Sequence, residues 1–211
     1  MKNPIIEREL IGMLRTRRAL ALQVCVALAF AMLVVLSWPT DALVDLSASQ
    51  SRQVFHLFGY GLLATIILLV PIFPATSIVR ERIGGTLALL LNSPMKPWSI
   101  YVGKLAGVLG FILLLLVLSF PGAYHILELY GLLALVAVQY AALGLLVSSY
   151  AQSTDSALRI TYGLVLLMAV VTLGPYMVFQ GDDSLTASAA FWLRHVSPVP
   201  AIMEVLGHED V

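Results

Sequence analysis

Five long stretches of the 211-residue chain contain few or no charged side chains, and this feature constrains the fold more than any other. Each stretch has roughly the 20 apolar residues that an α-helix needs to cross a hydrocarbon core about 30 Å thick. The apolar runs are continuous and do not alternate with polar residues, which favours helices over the strands of a barrel. We therefore predict five transmembrane helices, over residues 19–38, 54–74, 101–120, 126–150 and 158–179.

The composition supports a membrane protein and excludes two other classes. Hydrophobic residues make up 60% of the chain and charged residues 11%, with a mean hydropathy of +0.94. A soluble domain carries about 25% charged residues, so an ordinary soluble enzyme is excluded. A disordered segment is excluded as well, because disorder requires low hydrophobicity. We expect an all-α polytopic membrane protein.

Lysine and arginine residues are distributed unequally between the two predicted sides of the membrane. Ten of the twelve fall before the first span, around the connection between the second and third spans, or just after the fourth span; only Arg52 and Arg194 fall on the other side. Because positive charges mark cytoplasmic loops, we predict a cytoplasmic amino terminus in a bacterial inner membrane. Residues 181–211 then form an extracytoplasmic tail that lies on the outer membrane surface.

The sequence carries no recognisable catalytic or metal-binding motif. Gly103-Lys104 lacks the upstream glycine spacing and the following Ser or Thr of a phosphate-binding loop, so we predict no catalytic residue and no cofactor in this chain. The single cysteine, Cys25, excludes an internal disulfide framework, and the four histidines match no metal-ligand spacing. No nucleic-acid partner is expected. Glu128, one turn from the predicted outer interface, is a candidate for a substrate or proton role.

Residues 1–18 precede the first span and have the pattern of an amphipathic helix. Leu10 lies on an apolar face at helical spacing, and Arg8 and Arg15 lie opposite. Glu7 falls near the start, where acidic side chains favour the helix dipole. We predict an interface helix that lies on the cytoplasmic membrane surface and bends into the first span. The alternative is a basic flank that only fixes the topology.

The longest cytoplasmic connection, residues 76–100, contains a short apolar helix of its own. Gly84 and Gly85 interrupt the preceding helix, and Thr86 is positioned to cap a new helix with the sequence LALLL. The following Asn-Ser-Pro ends that helix. A partly apolar helix at this position needs a partner, so we predict a docking element. The alternative is an interfacial helix that packs on its own bundle.

Three segments together resemble the membrane subunit of ABC type-2 exporters. They are NPIIERELIGMLRTRR before the first span, RERIGGTLALLLNSPMKPWSIYVGKLAG after the second span, and LGLLVSSYAQSTDSA at the end of the fourth span. Their order and spacing match that family. The resemblance covers the chain from its start through the fifth predicted span.

The resemblance implies a permease subunit whose transmembrane domain is residues 19–180, with two coupling elements. One is the interface helix, through Glu7, Arg8, Leu10 and Arg15. The other would dock on a separate ATPase subunit, which binds ATP and magnesium. Its implied coupling residues are Arg80, Glu81, Arg82, Gly85, Thr86 and Leu87.

The resemblance also implies a second permease chain, identical or different, and six spans per chain. Because the sequence provides five, we expect it to stop before a sixth. Two other functions stay open at this point: the membrane subunit of a haem or cofactor maturation complex, and a non-transporting membrane scaffold. The apolar spans are compatible with lipid-like cargo and equally with plain lipid-facing helices, so they do not specify a substrate.

Overall fold

The computed structural model describes residues 4–15, 17–36, 48–93, 96–118, 126–179, 192 and 197–206. Within these residues, every regular element is an α-helix. The helices are α1 (Pro4–Leu14), α2 (Arg17–Leu36), α3 (Ala48–Leu69), α4 (Ile72–Ile83), α5 (Thr86–Leu91), α6 (Pro97–Leu118), α7 (Ile126–Tyr150), α8 (Thr154–Phe179) and α9 (Val199–Val205).

Four stretches of the described chain are long and apolar enough to cross a membrane, and they match the second to fifth predicted spans. They are His56–Ile83, Pro97–Leu114, Glu128–Tyr150 and Thr154–Pro175. The first predicted span lies on α2, where the described apolar stretch, Gln23–Leu33, is shorter than a crossing helix. The all-helical class is confirmed, and the count of five spans stays a prediction.

The second span extends nine residues beyond its predicted end at residue 74. It is formed by α3 and α4 in succession and runs to Ile83. Pro71 precedes α4 and Pro74 lies in its first turn, where a proline removes no intrahelical hydrogen bond. The helix is therefore interrupted at residues 70–71 without ending the span, and Arg80 and Arg82 lie in the last turn of α4.

Helix α7 lies at the centre of the described bundle, in contact with α3, α4, α6, α8 and α9. Leu133 and Val136 on this helix are fully buried. It approaches α4 closely at Gly144, where an added Cβ would lie 2.9 Å from Pro74 Cγ and 3.2 Å from the Pro71 carbonyl oxygen. The absence of a side chain at Gly144 allows the two helices to pack this closely.

Helix α1 packs along α6. Ile5 is buried, and Leu10 lies over Gly110, where an added Cβ would come within 2.8 Å of the leucine Cδ1. Gly103 and Gly107, which lie on the same face of α6 as Gly110, are buried as well. The predicted helix at the amino terminus is present, and its position on the cytoplasmic membrane surface stays a prediction.

The helical end of the predicted outer tail packs on the bundle, and its position on the outer membrane surface stays a prediction. Ile202 and Leu206 are fully buried, and Leu206 covers Gly59 of α3. The two side chains are four residues apart and therefore share one helix face, which joins the main apolar core. Trp192 is exposed. Most of residues 181–211 lie outside the described part of the chain.

Candidate functional site

The chain turns between α4 and α5 at two glycines. Gly84 caps the end of α4, and its N–H donates to the Arg80 carbonyl oxygen at 2.9 Å. Gly85 follows with a φ of 71°, in the left-handed region, which costs L side chains roughly 1–2 kcal/mol. The predicted interruption of the helix at this pair is confirmed.

Thr86 does not cap α5, so that part of the prediction was wrong. Gly85 occupies the N-cap position and provides no side-chain cap. Thr86 is instead the first residue of the helix, and its hydroxyl donates to the Glu81 carbonyl oxygen at 3.4 Å. The left-handed turn at Gly85 lets the helix begin one residue earlier than predicted, and Thr86 links it back to the end of α4.

Helix α5 is short and apolar, and none of its side chains is buried. Leu89 is 74% exposed and Leu91 is also exposed, whereas Leu87 and Leu90 are half-buried. Beyond the helix, the Ser93 hydroxyl donates to the Leu90 carbonyl oxygen at 2.7 Å. A helix of six residues is not stable in isolation, so its position depends on the flanking turns and on contact with α4.

A groove of about 430 Å³ lies between α5, the end of α4 and the start of α6. The Trp98 indole is 72% exposed and stacks on Tyr101, with ring centroids 5.5 Å apart. The charged residues of the groove wall are Glu81, Arg82 and Lys104. Exposed leucine and aromatic side chains beside charged groups are typical of a surface that binds another protein.

The basic residues at the end of α4 have different positions. Arg80 is exposed. The Arg82 guanidinium donates to the carbonyl oxygens of Ser149, at 2.6 Å, and Ala151, at 2.7 Å. The last carbonyl groups of a helix have no partner within the helix, and a cation beside them also favours the helix dipole. Arg82 therefore ties the end of α4 to the end of α7.

A buried ion cluster joins three helices beside the groove. Lys104 on α6 is 2% exposed, and its Nζ lies 2.8 Å from Glu9 Oε1 on α1 and 2.9 Å from Glu81 Oε1 on α4. The same Nζ donates to Ser77 Oγ at 2.9 Å. Glu81 Oε2 is buried and makes no hydrogen bond within the described residues. Because a buried charge is tolerated only when it is paired, this cluster fixes α1, α4 and α6 relative to one another.

The sequence prediction included Glu81 but missed Lys104 and Glu9, the other two charged groups of the cluster. Lys104 was considered only as one of the basic residues that predict the membrane orientation, and as the lysine of a Gly-Lys pair that does not fit a phosphate-binding loop. A signal was available, since Lys104 lies six residues beyond the interfacial Trp98, inside a predicted span. An ionisable side chain at such a position indicates a specific partner or a function.

The residues predicted for the interface helix are mostly on its outer side. Glu7, Arg8 and Arg15 are exposed, and Leu10 is half-buried over Gly110. The acidic residue of α1 that faces the bundle is Glu9, which the predicted set does not contain. Leu10 therefore contributes to packing within the chain, and the three charged side chains stay available to other molecules.

The other sequence candidates do not form a second site. Within the described residues, no group of three or more His, Cys, Asp and Glu side chains could hold a metal ion. Glu128 is exposed in the first turn of α7, where a carboxylate favours the helix dipole. Cys25 is exposed on α2 and His56 is half-buried. Three histidines lie outside the described residues: His125, His195 and His208.

Comparison with known proteins gives one clear finding. The family model described as ABC-2 type transporter matches residues 5–207, which covers the helices described above apart from Pro4, the first residue of α1. No curated protein matches the chain.

Proposed function

The chain belongs to the ABC-2 type transporter family, and from this premise we propose that it is the membrane subunit of an exporter driven by a separate ATPase subunit. As a permease subunit it is an integral membrane component of transport. The observation that carries the proposal is α5, an apolar helix held at one end of the bundle with none of its side chains buried.

We expect the ATPase subunit to bind over the groove between α5 and α6. Leu89 and Leu91 offer the apolar contact, and Trp98 offers a large aromatic side chain of the type that dominates interface energetics. Arg80 supplies an exposed charge at the edge. In this arrangement two permease chains pair, and each presents its own α5 to one ATPase subunit.

Polar contacts provide a route for movement from α5 into the spans. Arg82 and Lys104 connect the end of α4 to α7, α6 and α1. Farther along α4, the N–H groups of Ile78 and Val79 donate to Ser148 Oγ on α7, at 3.1 and 3.2 Å. Because these contacts join the helices at short distances, displacement of α5 by the ATPase would move α4, α6, α7 and α1 together. Tilting of these helices would then change access to the transport path.

Site-specific cross-linking tests this proposal directly. The native cysteine is removed by Cys25→Ser, and Leu89→Cys is introduced on α5. Membranes from the source cells are treated with a short cysteine-reactive cross-linker, and the product is identified by mass spectrometry. We expect a cross-link to a subunit that contains a phosphate-binding loop, and we expect addition of ATP to change its yield.

Leu113→Cys in the same background is the matched control, because Leu113 is likewise an exposed leucine but lies on α6, far along the span from the groove. It should give no cross-link to an ATPase. If Leu89→Cys captures no ATPase while the protein is present in the membrane in normal amount, the coupling assignment is wrong. A non-transporting scaffold would then be the better interpretation.

A further inference from the structure

The side of α1 that faces away from the bundle carries two arginines. Its inner side is already in use, through the ion pair of Glu9 and the contact of Leu10 with α6. Arg8, Ile11 and Arg15 are exposed, and intervals of three and four residues place them on one helix face. The amphipathic helix therefore turns its apolar side to α6 and leaves a basic side uncovered.

The two arginines of this outer face have no partner within the described part of the chain. Both ion pairs found there involve Lys104, and neither Arg8 nor Arg15 makes a side-chain hydrogen bond to a described residue. Arg17 is exposed as well, at the start of α2, whereas the exposed carboxylate of α1 is Glu7. Positive charge is therefore in excess around the outer face, which suits an anionic ligand.

The length of the second span locates the membrane surface relative to the helices. The apolar stretch His56–Ile83 has 28 residues, or about 42 Å of helix. Because the hydrocarbon core is about 30 Å thick, roughly eight residues project from it at one end. The projecting end is the one with Arg80, Glu81 and Arg82, since charged side chains are costly within hydrocarbon. The hydrocarbon core then ends near Ser77.

Helix α1 lies at the depth of Ser77. The Oγ atom of Ser77 is 2.9 Å from the Lys104 Nζ, and Glu9 Oε1 of α1 is 2.8 Å from the same nitrogen. The ion cluster is therefore at the boundary between hydrocarbon and headgroups, and α1 is there with it. Arginine side chains are long enough to bring their guanidinium groups from this depth to the lipid phosphates.

We propose that the outer face of α1 binds anionic phospholipid, with Arg8 and Arg15 on the lipid phosphates and Ile11 against the adjoining acyl chains. A guanidinium presents paired N–H donors that match a phosphate group. The net negative charge of an anionic lipid adds the attraction that draws basic segments to a membrane surface. The site does not rest on the proposed ATPase docking, since it shares no residue with the groove at α5.

Fluorescence quenching by spin-labelled lipids tests the site. Gly12 lies between the two arginines, and a side chain added there meets open space. Gly12→Cys is introduced in the Cys25→Ser background and labelled with a small thiol-reactive fluorophore. The full chain is then placed in phosphatidylcholine nanodiscs that contain spin-labelled phosphatidylglycerol or, at the same mole fraction, spin-labelled phosphatidylcholine. Both lipids carry the spin label on the acyl chain, close to the headgroup.

We expect phosphatidylglycerol to quench the fluorophore at a mole fraction about fivefold lower than phosphatidylcholine, which is the equivalent of one arginine at a membrane surface. Arg8→Gln together with Arg15→Gln should make the two lipids equal. Lys96→Gln together with Arg159→Gln is the matched control. It removes the same charge from exposed positions outside α1, and it should leave the preference unchanged.

Three results would overturn the proposal. Equal quenching by the two lipids before any arginine is replaced would show that the face does not select anionic lipid. Weak quenching by both lipids would show that something other than lipid covers it, such as a second copy of the chain. Loss of the preference in the control pair would assign it to the overall charge. Finally, if inorganic phosphate abolishes the preference and sodium chloride of equal ionic strength does not, the ligand is free phosphate and the choice of lipid is wrong.

Discussion

At the scale of single residues, Lys104 connects the interface helix to the helix that leads into α5. Its ammonium group is the cation shared by two carboxylates, those of Glu9 and Glu81, and all three groups are largely buried. Desolvation of an ion pair is costly, so a buried pair adds little net stability, but loss of one partner leaves a charge with no compensation. The cluster therefore determines how the three helices are arranged more than it determines how stable they are.

Lys104→Met tests this argument. The change leaves two carboxylates without their cation, and we expect it to lower the free energy of unfolding by about 3–5 kcal/mol. The measurement is equilibrium unfolding of the purified chain in detergent. Lys96→Met is the control, since Lys96 is exposed two residues before Trp98, and an exposed substitution of this kind changes stability by no more than about 0.5 kcal/mol. Equal losses in the two variants would contradict the role of the cluster.

The residue scale also separates what the sequence could predict from what it could not. The glycine pair at the end of α4 was predictable, because a left-handed turn has a strong local preference for glycine. The ion pairs of Lys104 were not predictable, since its partners Glu9 and Glu81 lie 95 and 23 residues away along the chain. Such a cluster exists only after α1, α4 and α6 have packed together, and helix periodicity does not contain that information.

At the scale of elements, α4 and α7 share the most extensive contact between two helices of the described residues, and this contact can carry movement from α5. Gly144 lets the backbones of the two helices approach closely, and the Ser148 hydroxyl accepts two N–H groups of α4. Arg82 donates to one carbonyl oxygen in the last turn of α7 and to another just beyond its end. These contacts lie along one side of α7, from the first turn of α4 to its end. The two helices should therefore behave as one unit during transport.

Gly144→Ala is expected to loosen this unit. The added Cβ would meet Pro74 Cγ at 2.9 Å and the Ala75 backbone nitrogen at 3.2 Å. Backbone atoms cannot move aside without shifting the helix, so we expect a loss of about 1–3 kcal/mol in the free energy of unfolding. Thermal unfolding in detergent, followed by near-ultraviolet circular dichroism, measures the effect.

Gly110→Ala provides the comparison for that experiment. Its Cβ would also be too close to a neighbour, at 2.8 Å, but that neighbour is the Cδ1 of Leu10, the end of a flexible side chain. A rotamer change of the leucine relieves the overlap. Replacing glycine by alanine in a helix also raises the free energy of unfolding by about 0.4–1 kcal/mol, because alanine lowers the conformational entropy of the unfolded chain. A larger loss at Gly110 than at Gly144 would show that the α1–α6 contact is the more rigid of the two.

Element boundaries show a second limit of the sequence. The apolar length of each span was sufficient to locate four crossing helices, because the thickness of the bilayer fixes that length. Pro71 and Pro74 did not mark the end of the second span, since prolines in a first turn remove no bond. The packing of α9 on the core could not be predicted either, because a helix of seven residues has too few positions to establish a buried face.

At the scale of the whole molecule, the arrangement of turns agrees with the side assignment made from charge. The bond from Arg82 to Ala151 brings the α4–α5 turn and the α7–α8 turn to the same end of the bundle. Those turns are close in sequence to Arg80, Lys96 and Arg159, basic residues that the positive-inside rule assigns to the cytoplasm. An ATPase in the cytoplasm could then reach α5.

Labelling with a membrane-impermeant maleimide tests the side assignment and the number of spans together. In the Cys25→Ser background, we expect Leu89→Cys and Gln152→Cys to be protected in intact cells and to react after permeabilisation, because both lie at the predicted cytoplasmic end. Arg52→Cys should react in intact cells, and Arg15→Cys should not, because the segment between them contains the first predicted span. If Arg15→Cys and Arg52→Cys behave alike, α2 does not cross and the count of five spans is wrong. Reaction of Leu89→Cys in intact cells would place α5 outside, where no cytoplasmic ATPase could bind it.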